Sequence, residues 1–541
     1  MRSSRAWLCL LAFPLIAHGA EDAQFNVWEF RVLGNTVLPN IDIERVVYPF
    51  LGEAKSLNDV EAARKMLETV YHDRGYGTVF VDIPEQDVGA GIVRLKVVEG
   101  ELARVRTSGA RYFSGRQIRA QVPEARQGTV PHLPTLQSEL ALLNAETPDR
   151  SVVPVLRAGA TPGTVDLSLT VKDELPLHAS AEVNNQYTAN TSQLRFLTSL
   201  SYDNLFGRLD SLALQYQTAP EDRDEVSVWA ASYTARINEH GTKLAAFFVD
   251  SDSAVATAGT GSNSVNVLGK GRIYGLRWVQ PIVNTAEATH TFVGGLEYKD
   301  FKESVFSQNV LETPITYTNF SLGQASAWRG TQRQWSLASS FNFGVRGLAN
   351  QPEEFQVKRF HGSPNYFFLR ADGAVLQSLP RGMNLRLLAS GQYALDPVIS
   401  NEQFSGAGAS GVRGYLEAEQ LGDMGIKTSL ELGSPKWPLL AGKMHADAFA
   451  FYDFAKLLRL DPLYEIVNPA TGERGALLEA SNISLRSAGL GFTFDAFEHF
   501  SGELIWAYPL VDRPSITLGS DSLTGTAKGD SRLHFSVRTT W

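Results

Sequence analysis

A glycine-rich stretch, Phe404–Gly425, holds the most distinctive arrangement of side chains in this sequence. At its centre lies a four-residue motif made of Val412, Arg413, Gly414 and Tyr415. Glycines permit tight turns in a long loop, and a guanidinium group keeps its charge, so Arg413 can act as an anchor only if a carboxylate meets it. The pattern therefore indicates either a functional loop held by an ion pair or a solvated hairpin tip.

The same stretch contains a G-x-G-x-x-G pattern, which is also the fingerprint of dinucleotide-binding turns. The fingerprint requires a buried strand before it and a helix after it. Here Pro397–Gln403 is polar, and Gly411 is followed by Val-Arg-Gly-Tyr, so the match is accidental. Because the chain also lacks metal-ligand spacings and a G-x-S-x-G elbow, and its 10 histidines are scattered, we expect no enzyme activity and no catalytic, cofactor-binding or metal site.

Composition narrows the class of protein that could present such a loop. The chain has 541 residues and a net charge of −9, which gives no basic surface for nucleic acid. Hydrophobic residues make up 43%, and after the N-terminus no stretch approaches the roughly 18 continuous apolar residues of a membrane helix. A helical membrane protein is excluded, whereas a membrane β-barrel, whose apolar residues alternate with polar ones, is not.

The N-terminus has the pattern of a secretory signal. Arg2 and Arg5 precede an apolar core over Ala6–Ala17, and small residues follow at Gly19 and Ala20. We therefore assign 1–20 to a signal peptide. The only cysteine of the chain falls inside this segment, so the exported protein is expected to contain no disulfide.

Two similar modules are expected to follow the signal peptide. The first has a strand at Val27–Gly34, helices at Ile41–Phe50 and after Ser56, and strands at Thr78–Ile83 and Gly91–Val98. The same β-α-α-β-β order recurs as a strand at Ala103–Ser108, helices at Ser114–Val122 and Leu136–Leu143, and strands at Val152–Leu156 and Thr164–Val171. An internal repeat of this size indicates tandem modules rather than one domain. We place them at 21–100 and 101–175.

The sequence motifs of these modules resemble those of a known family. RVLGNTVLP, GIVRLKVVEG and the run from LPTLQSELALLN to VDLSLTV resemble the polypeptide-transport-associated (POTRA) modules of two-partner secretion transporters of the TpsB (ShlB/FhaC/HecB-like) family. An edge strand that lacks a neighbour could capture an extended peptide by strand addition. Taken singly, any one of these residues is more often a packing residue than a contact to a partner.

The remaining residues, 176–541, show no helical periodicity. Segments of about ten residues alternate apolar and polar side chains, and we count about 16 such strands, which is typical of an outer-membrane barrel. A soluble β-sandwich would alternate as well, but the length, the export signal and the last strand favour the barrel. That strand places Phe535 on its apolar face and ends on Trp541, which resembles the assembly signal of outer-membrane barrels.

In the family that these motifs resemble, the V-R-G-Y motif belongs to a lid loop that folds back into the barrel. Here the lid loop, about 402–422, falls after about 11 strands. The resemblance implies a partner aspartate on a neighbouring strand in the motif Phe-x-Asp-x-Gly. Phe451–Ala455 matches it except for the last residue, and strand alternation points Asp453 into the lumen. A second V-R-G sequence, at Gly344–Gly347, is expected mid-strand as ordinary wall.

The resemblance implies an all-β membrane barrel of the outer membrane that receives an unfolded exoprotein in the periplasm and passes it outward. Its expected partners are the exoprotein, membrane lipid, and the barrel-assembly machinery and periplasmic chaperones during biogenesis. Only about five residues separate the predicted cleavage site from Phe25, so no plug helix is expected. Two alternatives stay open: a barrel-assembly factor of the same superfamily and a passive porin.

Overall fold

The computed structural model describes residues 24–541 apart from 190, 239–240, 254, 259–264, 286, 303–313, 469–472, 478–479, 514–515, 519–520 and 524. The predicted signal peptide lies outside the described residues. No described helix is both long and apolar enough to cross a membrane. The chain divides between Asp173 and Glu174 into two compact units, two residues before the predicted start of the barrel.

The first module in unit one packs two helices on a small sheet. Its elements are β1 (Phe25–Val27), β2 (Glu29–Leu33), α1 (Asn40–Val47), β3 (Gly52–Lys55), α2 (Leu57–Asp73), β4 (Phe80–Asp82) and β5 (Ile92–Val98). The helix α2 begins at the predicted cap, where Ser56 and Asp59 form a reciprocal capping box. Its buried face, which includes Leu67 and Tyr71, covers the sheet in the order β2-β5-β4.

The second module repeats this arrangement. It contains β6 (Glu101–Ser108), α3 (Gly115–Ala120), α4 (Leu133–Ala145), β7 (Arg150–Ala158) and β8 (Thr164–Asp173), with the sheet order β6-β8-β7. Burial acts to raise the pKa of the Asp173 carboxyl group, but hydrogen bonds from the backbone N–H groups of Arg111, Tyr112 and Phe113 outweigh it and leave the pKa below its ordinary value. Asp173 thereby holds the chain that enters α3.

Several element bounds in the modules differ from those predicted. The first module carries an additional ribbon, in which β1 pairs with β3, so its order is not simply β-α-α-β-β. Both elements are too short to show a period of two in the sequence. The helix α3 ends at Ala120, two residues earlier than predicted, and α4 begins at Leu133 rather than Leu136.

Unit two is built almost entirely of strands. Its elements are β9 (Leu177–Asn184), β10 (Arg195–Leu205), β11 (Asp210–Thr218), β12 (Ser227–Arg236), β13 (Lys243–Asp252), β14 (Val255–Ala258), β15 (Val265–Leu268), β16 (Gly271–Asn284), β17 (Ala288–Phe301), β18 (Ile315–Arg329), β19 (Arg333–Phe343), α5 (Pro352–Lys358), β20 (Phe367–Ser378), β21 (Asn384–Ala394), β22 (Phe404–Ser405), β23 (Leu421–Gly422), β24 (Met424–Gly433), β25 (Trp437–Leu439), β26 (Met444–Leu458), β27 (Tyr464–Asn468), β28 (Glu473–Leu477), β29 (Asn482–Ala496), β30 (Phe500–Pro509), β31 (Ile516–Leu518), β32 (Asp521–Leu523) and β33 (Arg532–Thr540).

Within the described residues, sixteen antiparallel strands close into a barrel, as the alternation predicted. The wall consists of β9 to β13, β16 to β21, β24, β26, β29, β30 and β33, and the short β25 extends the line of β24. The remaining strand pairs form separate hairpins between wall strands. Eleven of the wall strands precede the lid loop, which confirms its predicted place before the twelfth.

Alternation separates the two faces of the wall. On β26, exposed Ala450 and Tyr452 point outward, whereas Phe451 and Asp453 are buried on the inner face. Residues paired across neighbouring strands share a face, so this parity carries around the barrel. Asp453 therefore points into the lumen, as the pattern predicted.

The barrel closes where its last strand meets its first. Five residues of β33, Ser536–Thr540, pair with Asn184–Ser180 of β9. The terminal Trp541 extends the ladder, since its N–H donates to the Ala179 carbonyl at 2.9 Å and its carbonyl accepts from Ala179 at 3.1 Å. The last residue of the chain thus belongs to the closing seam.

The prediction for Gly344–Gly347 is wrong. The strand β19 ends at Phe343, and the segment forms a turn in which Arg346 makes an isolated bridge to Asn350. A Cβ at Gly344 would lie 2.5 Å from the Tyr366 ring and 2.6 Å from the Pro364 carbonyl, so the chain leaves the wall at a crowded point where only glycine fits. The sequence pattern of the strand does not reveal this crowding.

Candidate functional site

The lid loop lies inside the barrel. Residues 395–423 connect β21 to β24, and within them Phe404 and Ser405 pair with Gly422 and Leu421 to form a narrow stem. The tip beyond the stem is buried, with Val412 and Tyr415 both at 0% exposure. It packs on inward-facing side chains of β26 and β29, namely Ala455, Leu457, Ile483 and Leu485. A solvated hairpin tip is therefore excluded.

All three side-chain nitrogens of Arg413 donate hydrogen bonds to groups on the inner wall. Its Nε donates to Asp453 Oδ2 at 2.8 Å and its Nη2 to Asp453 Oδ1 at 2.7 Å, while its backbone N–H donates to the same carboxylate at 3.0 Å. The two planar groups meet in the bidentate geometry that makes such pairs strong. Asp453 is wholly buried, so this carboxylate is matched by the guanidinium rather than by water.

Two further polar groups on β24 complete the arginine site. Nη1 donates to Glu431 Oε1 at 2.8 Å, and Nη2 donates to Ser429 Oγ at 2.7 Å. The guanidinium also lies 3.6 Å from the centroid of the Phe451 ring, which is close enough for a cation–π contact. The sequence predicted Asp453 but missed Glu431. Its inward parity on the strand after the lid loop is the signal that could have revealed it.

The other motif residues fix the tip against different strands. The Gly414 N–H donates to His534 Nε2 on the last strand at 3.0 Å, and the Tyr415 hydroxyl donates to the carbonyls of Val511 at 2.5 Å and Arg486 at 3.2 Å. Gly414 has a φ of +95°, and a Cβ there would lie 3.1 Å from Pro509. A side chain at this position would be strained and crowded, so the motif requires glycine.

The departure from the family motif at Ala455 has a structural counterpart in the loop. Ala455 is completely buried beneath the tip. A Cβ built on Gly406 would lie 3.2 Å from the Ala455 Cβ, so the loop backbone passes directly over the alanine methyl group. The Ala455 methyl group, which replaces the glycine of the motif, therefore fits because Gly406 above it has no side chain.

Carboxylates outside the motif anchor the base of the loop. Glu402 accepts from Lys299 Nζ at 2.6 Å and from the Tyr317 hydroxyl at 2.7 Å. Asp423 accepts from Arg359 Nη2 at 3.1 Å and from the backbone N–H of Leu460 at 2.7 Å. All of these acceptors are buried. Sequence analysis predicted neither contact, although each acid lies at the edge of a glycine-rich loop.

A third acid, Glu419, anchors the part of the lid loop that follows the V-R-G-Y motif. Glu419 accepts from the backbone N–H and the hydroxyl of Thr526, both at 2.7 Å, and from the Leu416 N–H at 2.8 Å. Thr526 lies in the connection between β30 and β33. The lid loop is thus tied to several separate parts of the barrel.

A polar cavity of about 230 Å³ remains beside the loop tip. It is lined by cationic, acidic and amide side chains, including Arg195, Arg370, Asp372, Glu417 and Lys427. Such a lining suits a hydrated passage for a polar chain better than a pocket for an apolar ligand.

The two edges of the second module's sheet differ. At β7, the Asn144 side chain of α4 accepts from the Val152 N–H at 2.8 Å and donates to the Val152 carbonyl at 3.0 Å, and Pro154 has no N–H to offer. At β6, only Leu102 is covered, by Gly128 and Thr129 at 2.8 and 2.9 Å. Among the described residues, the outer side of β6 beyond Leu102 shows no backbone partner.

The predicted assembly-signal residues lie apart from the lid loop. Phe535 is on the outward face of β33 opposite Leu504, and the Trp541 side chain is 61% exposed on the same face. They face the membrane and take no part in the arginine site.

Comparison with known proteins places this geometry in a family. Residues 163–461, more than half of the chain, match the family described as haemolysin secretion/activation protein ShlB/FhaC/HecB. Residues 25–100 match the POTRA domain, ShlB-type.

Individual relatives and solved structures are more distant. The outer membrane transporter CdiB of Dickeya dadantii is 22% identical over 447 residues, covering 79% of this chain and 75% of that protein. The heme/hemopexin transporter protein HuxB of Haemophilus influenzae strain 86-028NP is 20% identical over 516 residues, covering 92% and 86%. The structure of CdiB from Escherichia coli is similar with a TM-score of 0.64 at 19% identity, covering 98% of this chain and 93% of that one. This last similarity shows the fold.

A closed barrel with an inward loop, a POTRA domain ahead of it and the family match over residues 163–461 show that the chain belongs to the ShlB/FhaC/HecB family, the outer-membrane transporters of two-partner secretion.

Proposed function

We propose that this transporter passes an unfolded exoprotein through the barrel while the lid loop stays in place as a fixed constriction. Periplasmic modules present the exoprotein to the lumen, and no covalent bond is made or broken on the way. Because the periplasm supplies no ATP, folding of the exoprotein outside the cell would draw it outward. The barrel-assembly machinery and periplasmic chaperones are proposed as partners only while the transporter itself is being assembled.

The observation that carries the proposal is the number of separate anchors on the loop. Its tip is bound through Arg413 and Glu419, and its base through Glu402 and Asp423. Breaking one buried ion pair by removing a partner costs about 3–5 kcal/mol. A loop that left the lumen in every transport cycle would have to expose several such groups at once.

The breadth of the barrel supports the same conclusion. Barrels of about 16–18 strands leave an aqueous channel that is wider than their side chains can fill. An extended chain can therefore pass beside a loop that remains bound to one side of the wall. The polar cavity next to the tip, with Arg195 and Asp372 in its lining, marks a place where such a passage would run.

A disulfide between the loop and the wall tests whether the lid loop moves. In the double variant Gly406→Cys and Ala455→Cys, the two Cβ atoms would lie about 3.2 Å apart. Disulfides need Cβ atoms roughly 3.5–4.5 Å apart, so a small shift suffices. The only native cysteine, Cys9, lies in the predicted signal peptide and would not compete.

We expect the oxidised double variant to secrete exoprotein at close to the wild-type rate. The single variants, treated with the same oxidant, control for each substitution, and a shift in electrophoretic mobility after reduction measures the extent of cross-linking. Secretion that stops in the oxidised double variant and returns on reduction would show that the loop must leave the wall, and the fixed-constriction proposal would be wrong.

The second module is proposed as the site where the exoprotein is first held. An extended segment would add to the outer side of β6, whose backbone groups beyond Leu102 lack partners among the described residues. Strand addition uses backbone hydrogen bonds, which suits a substrate that is unfolded and variable in sequence. The β7 edge is less suitable because Asn144 occupies it and Pro154 interrupts its donors.

A further inference from the structure

Two cations lie on the membrane-facing side of the barrel near its extracellular end. On β26, Lys456 is two residues from the end of the strand at Leu458, and on β29, Arg486 is four residues from the start at Asn482. Both side chains are exposed. They share the outward face of Tyr452 and Leu490, because Lys456 is paired with Ser484 and Arg486 with Phe454.

The chain direction places these ends on the outer side of the membrane. The first wall strand, β9, follows the periplasmic modules and therefore runs from the periplasm outward. Counted along the wall, the first, third and every further odd strand runs in the same direction. The strand β26 is the thirteenth of the wall, and the residues after Leu458 lead to the hairpin of β27 and β28 before β29 returns. Lys456 and Arg486 therefore lie near the extracellular end of the wall, on the side of the outer leaflet.

These cations differ from the other cations on the outward face of the described wall strands. Arg272 on β16 donates to Asp250 on β13 at 3.2 Å, so its charge is matched. Arg333, at the opposite end of the barrel, donates to Gln377 at 2.7 Å. In the part of the chain that the structure describes, neither Lys456 nor Arg486 has a carboxylate within salt-bridge distance. The Arg486 guanidinium lies 5.8 Å from the centroid of the Phe454 ring on the neighbouring strand.

An unmatched cation on a lipid-facing surface calls for an anion from the membrane. Arginine and lysine on the outside of a barrel cost about 2–4 kcal/mol at the membrane midplane and about 0–1 kcal/mol near the interface. Placement near the interface removes most of the cost, and a lipid phosphate would supply the missing counter-charge. The outer leaflet of this membrane consists of lipopolysaccharide, whose lipid A headgroup carries phosphates.

We propose that Lys456 and Arg486 bind a phosphate of lipid A. Residues related diagonally across two antiparallel strands are about 7–8 Å apart at the backbone, so two long side chains can converge on one phosphate. Arginine offers paired donors that match phosphate oxygens, and lysine adds a second positive charge. The Ser484 hydroxyl lies on the same face directly opposite Lys456, and the apolar surface of Tyr452 and Leu490 below can receive the acyl chains.

The test measures stabilisation of the full-length protein in detergent by purified lipid A. The temperature at which the barrel loses its heat-modifiable mobility is recorded against lipid concentration for the wild type, Lys456→Gln, Arg486→Gln and the double variant. Arg272→Gln is the matched control, since it also removes an outward-facing cation. Lys456→Arg retains the charge. Separate arms replace lipid A by its dephosphorylated form or by inorganic phosphate.

We expect the double variant to need at least tenfold more lipid A for the same stabilisation, while Arg272→Gln and Lys456→Arg behave as the wild type. Equal stabilisation of the double variant and the wild type, or equal stabilisation by dephosphorylated lipid, would overturn the proposal. Full protection by inorganic phosphate alone would show an adventitious ion only, and would also overturn the assignment to a lipid. Secretion is not used as the readout, so the outcome is independent of the transport proposal.

Discussion

Arg413 is held by two acids and a serine rather than by the single aspartate that its motif implied. Asp453 takes two side-chain hydrogen bonds and Glu431 takes another, while Phe451 covers the face of the guanidinium. With only 6% of the arginine exposed, water cannot replace a lost partner. The position of the lid tip therefore depends on the whole cluster.

Replacing Arg413 or Asp453 by alanine is expected to reduce secretion strongly while barrel levels stay unchanged. Removing one member of a buried pair costs about 3–5 kcal/mol because the other charge stays desolvated, whereas an exposed pair is worth about 0–1 kcal/mol. The damage should be local, since Arg413 takes no part in the wall ladders. The measurement compares exoprotein in the medium with folded, heat-modifiable transporter in the membrane.

Combining Arg413→Ala with Asp453→Ala tests whether the two substitutions reduce secretion by breaking the same contact. The double variant should lose little more activity than either single variant, because both remove one contact. Exchanging the two residues should not restore secretion, since an aspartate at 413 would face Glu431. Arg386→Ala is the control: Arg386 reaches Glu431 at 3.6 Å from a half-exposed position and should have little effect. Wild-type secretion in both single variants, or simple additivity, would contradict this account.

The two edges of the second module's sheet, β6 and β7, differ in how they are protected. The β7 edge carries an asparagine side chain that imitates a neighbouring strand and a proline that removes a donor, both of which prevent uncontrolled pairing. Among the residues that the structure describes, the β6 edge has backbone partners only at Leu102. Because the opposite edge is protected, strand addition to this sheet is expected at β6.

Proline in β6 is expected to weaken exoprotein binding at least tenfold, provided that it removes a donor on the outer side. Val105→Pro and Arg106→Pro test neighbouring positions whose N–H groups point in opposite directions, so that one of them leaves the ladder to β8 intact. That variant should fold and bind at least tenfold more weakly, as measured with full-length transporter and an unfolded exoprotein fragment.

A proline on the opposite edge provides the comparison. In Leu156→Pro the lost N–H lies on the outer side of β7, at the same parity as Val152, and we expect binding to be unchanged. If this variant alone lost binding, the receiving edge would be β7. Wild-type binding by a folded β6 variant would remove the proposed role of β6.

At the scale of the whole molecule, the last strand both closes the barrel and presents its end to the membrane. The Trp541 backbone pairs with Ala179 on the first strand, whereas its side chain is mostly exposed and packs little within the folded barrel. The structural contribution of Trp541 thus lies in its backbone. Any importance of the indole itself would concern recognition before folding is complete.

Trp541→Ala is expected to lower the amount of folded barrel in the membrane without lowering the stability of the barrels that do assemble. The substitution keeps the backbone pairs with Ala179 and removes only an exposed side chain. The amount of heat-modifiable protein measures assembly, and the unfolding temperature of the purified protein measures stability. Trp506→Ala is the matched control, because Trp506 is 46% exposed on the neighbouring strand and is not terminal. Unchanged assembly in Trp541→Ala, or the same loss in Trp506→Ala, would contradict a terminal signal.

The sequence by itself determined the features that depend on local periodicity. A period of two in the rear of the chain led to a barrel of about 16 strands and to the inward parity of Asp453, because side chains alternate strictly along an extended backbone. Helical spacing and the Ser56 cap located α2. The resemblance then paired Arg413 with Asp453, which the structure places in contact.

Only the tertiary structure decided which distant groups meet inside the barrel. The contacts of Glu402 with Lys299 and of Asp423 with Arg359 join residues 103 and 64 positions apart, and they depend on barrel closure and on the register of every intervening strand. Such non-local geometry leaves no periodic trace in the sequence. For the same reason the turn at Gly344 and the Asn144 cap on β7 were not predicted, since each is set by a neighbour that folding brings into place.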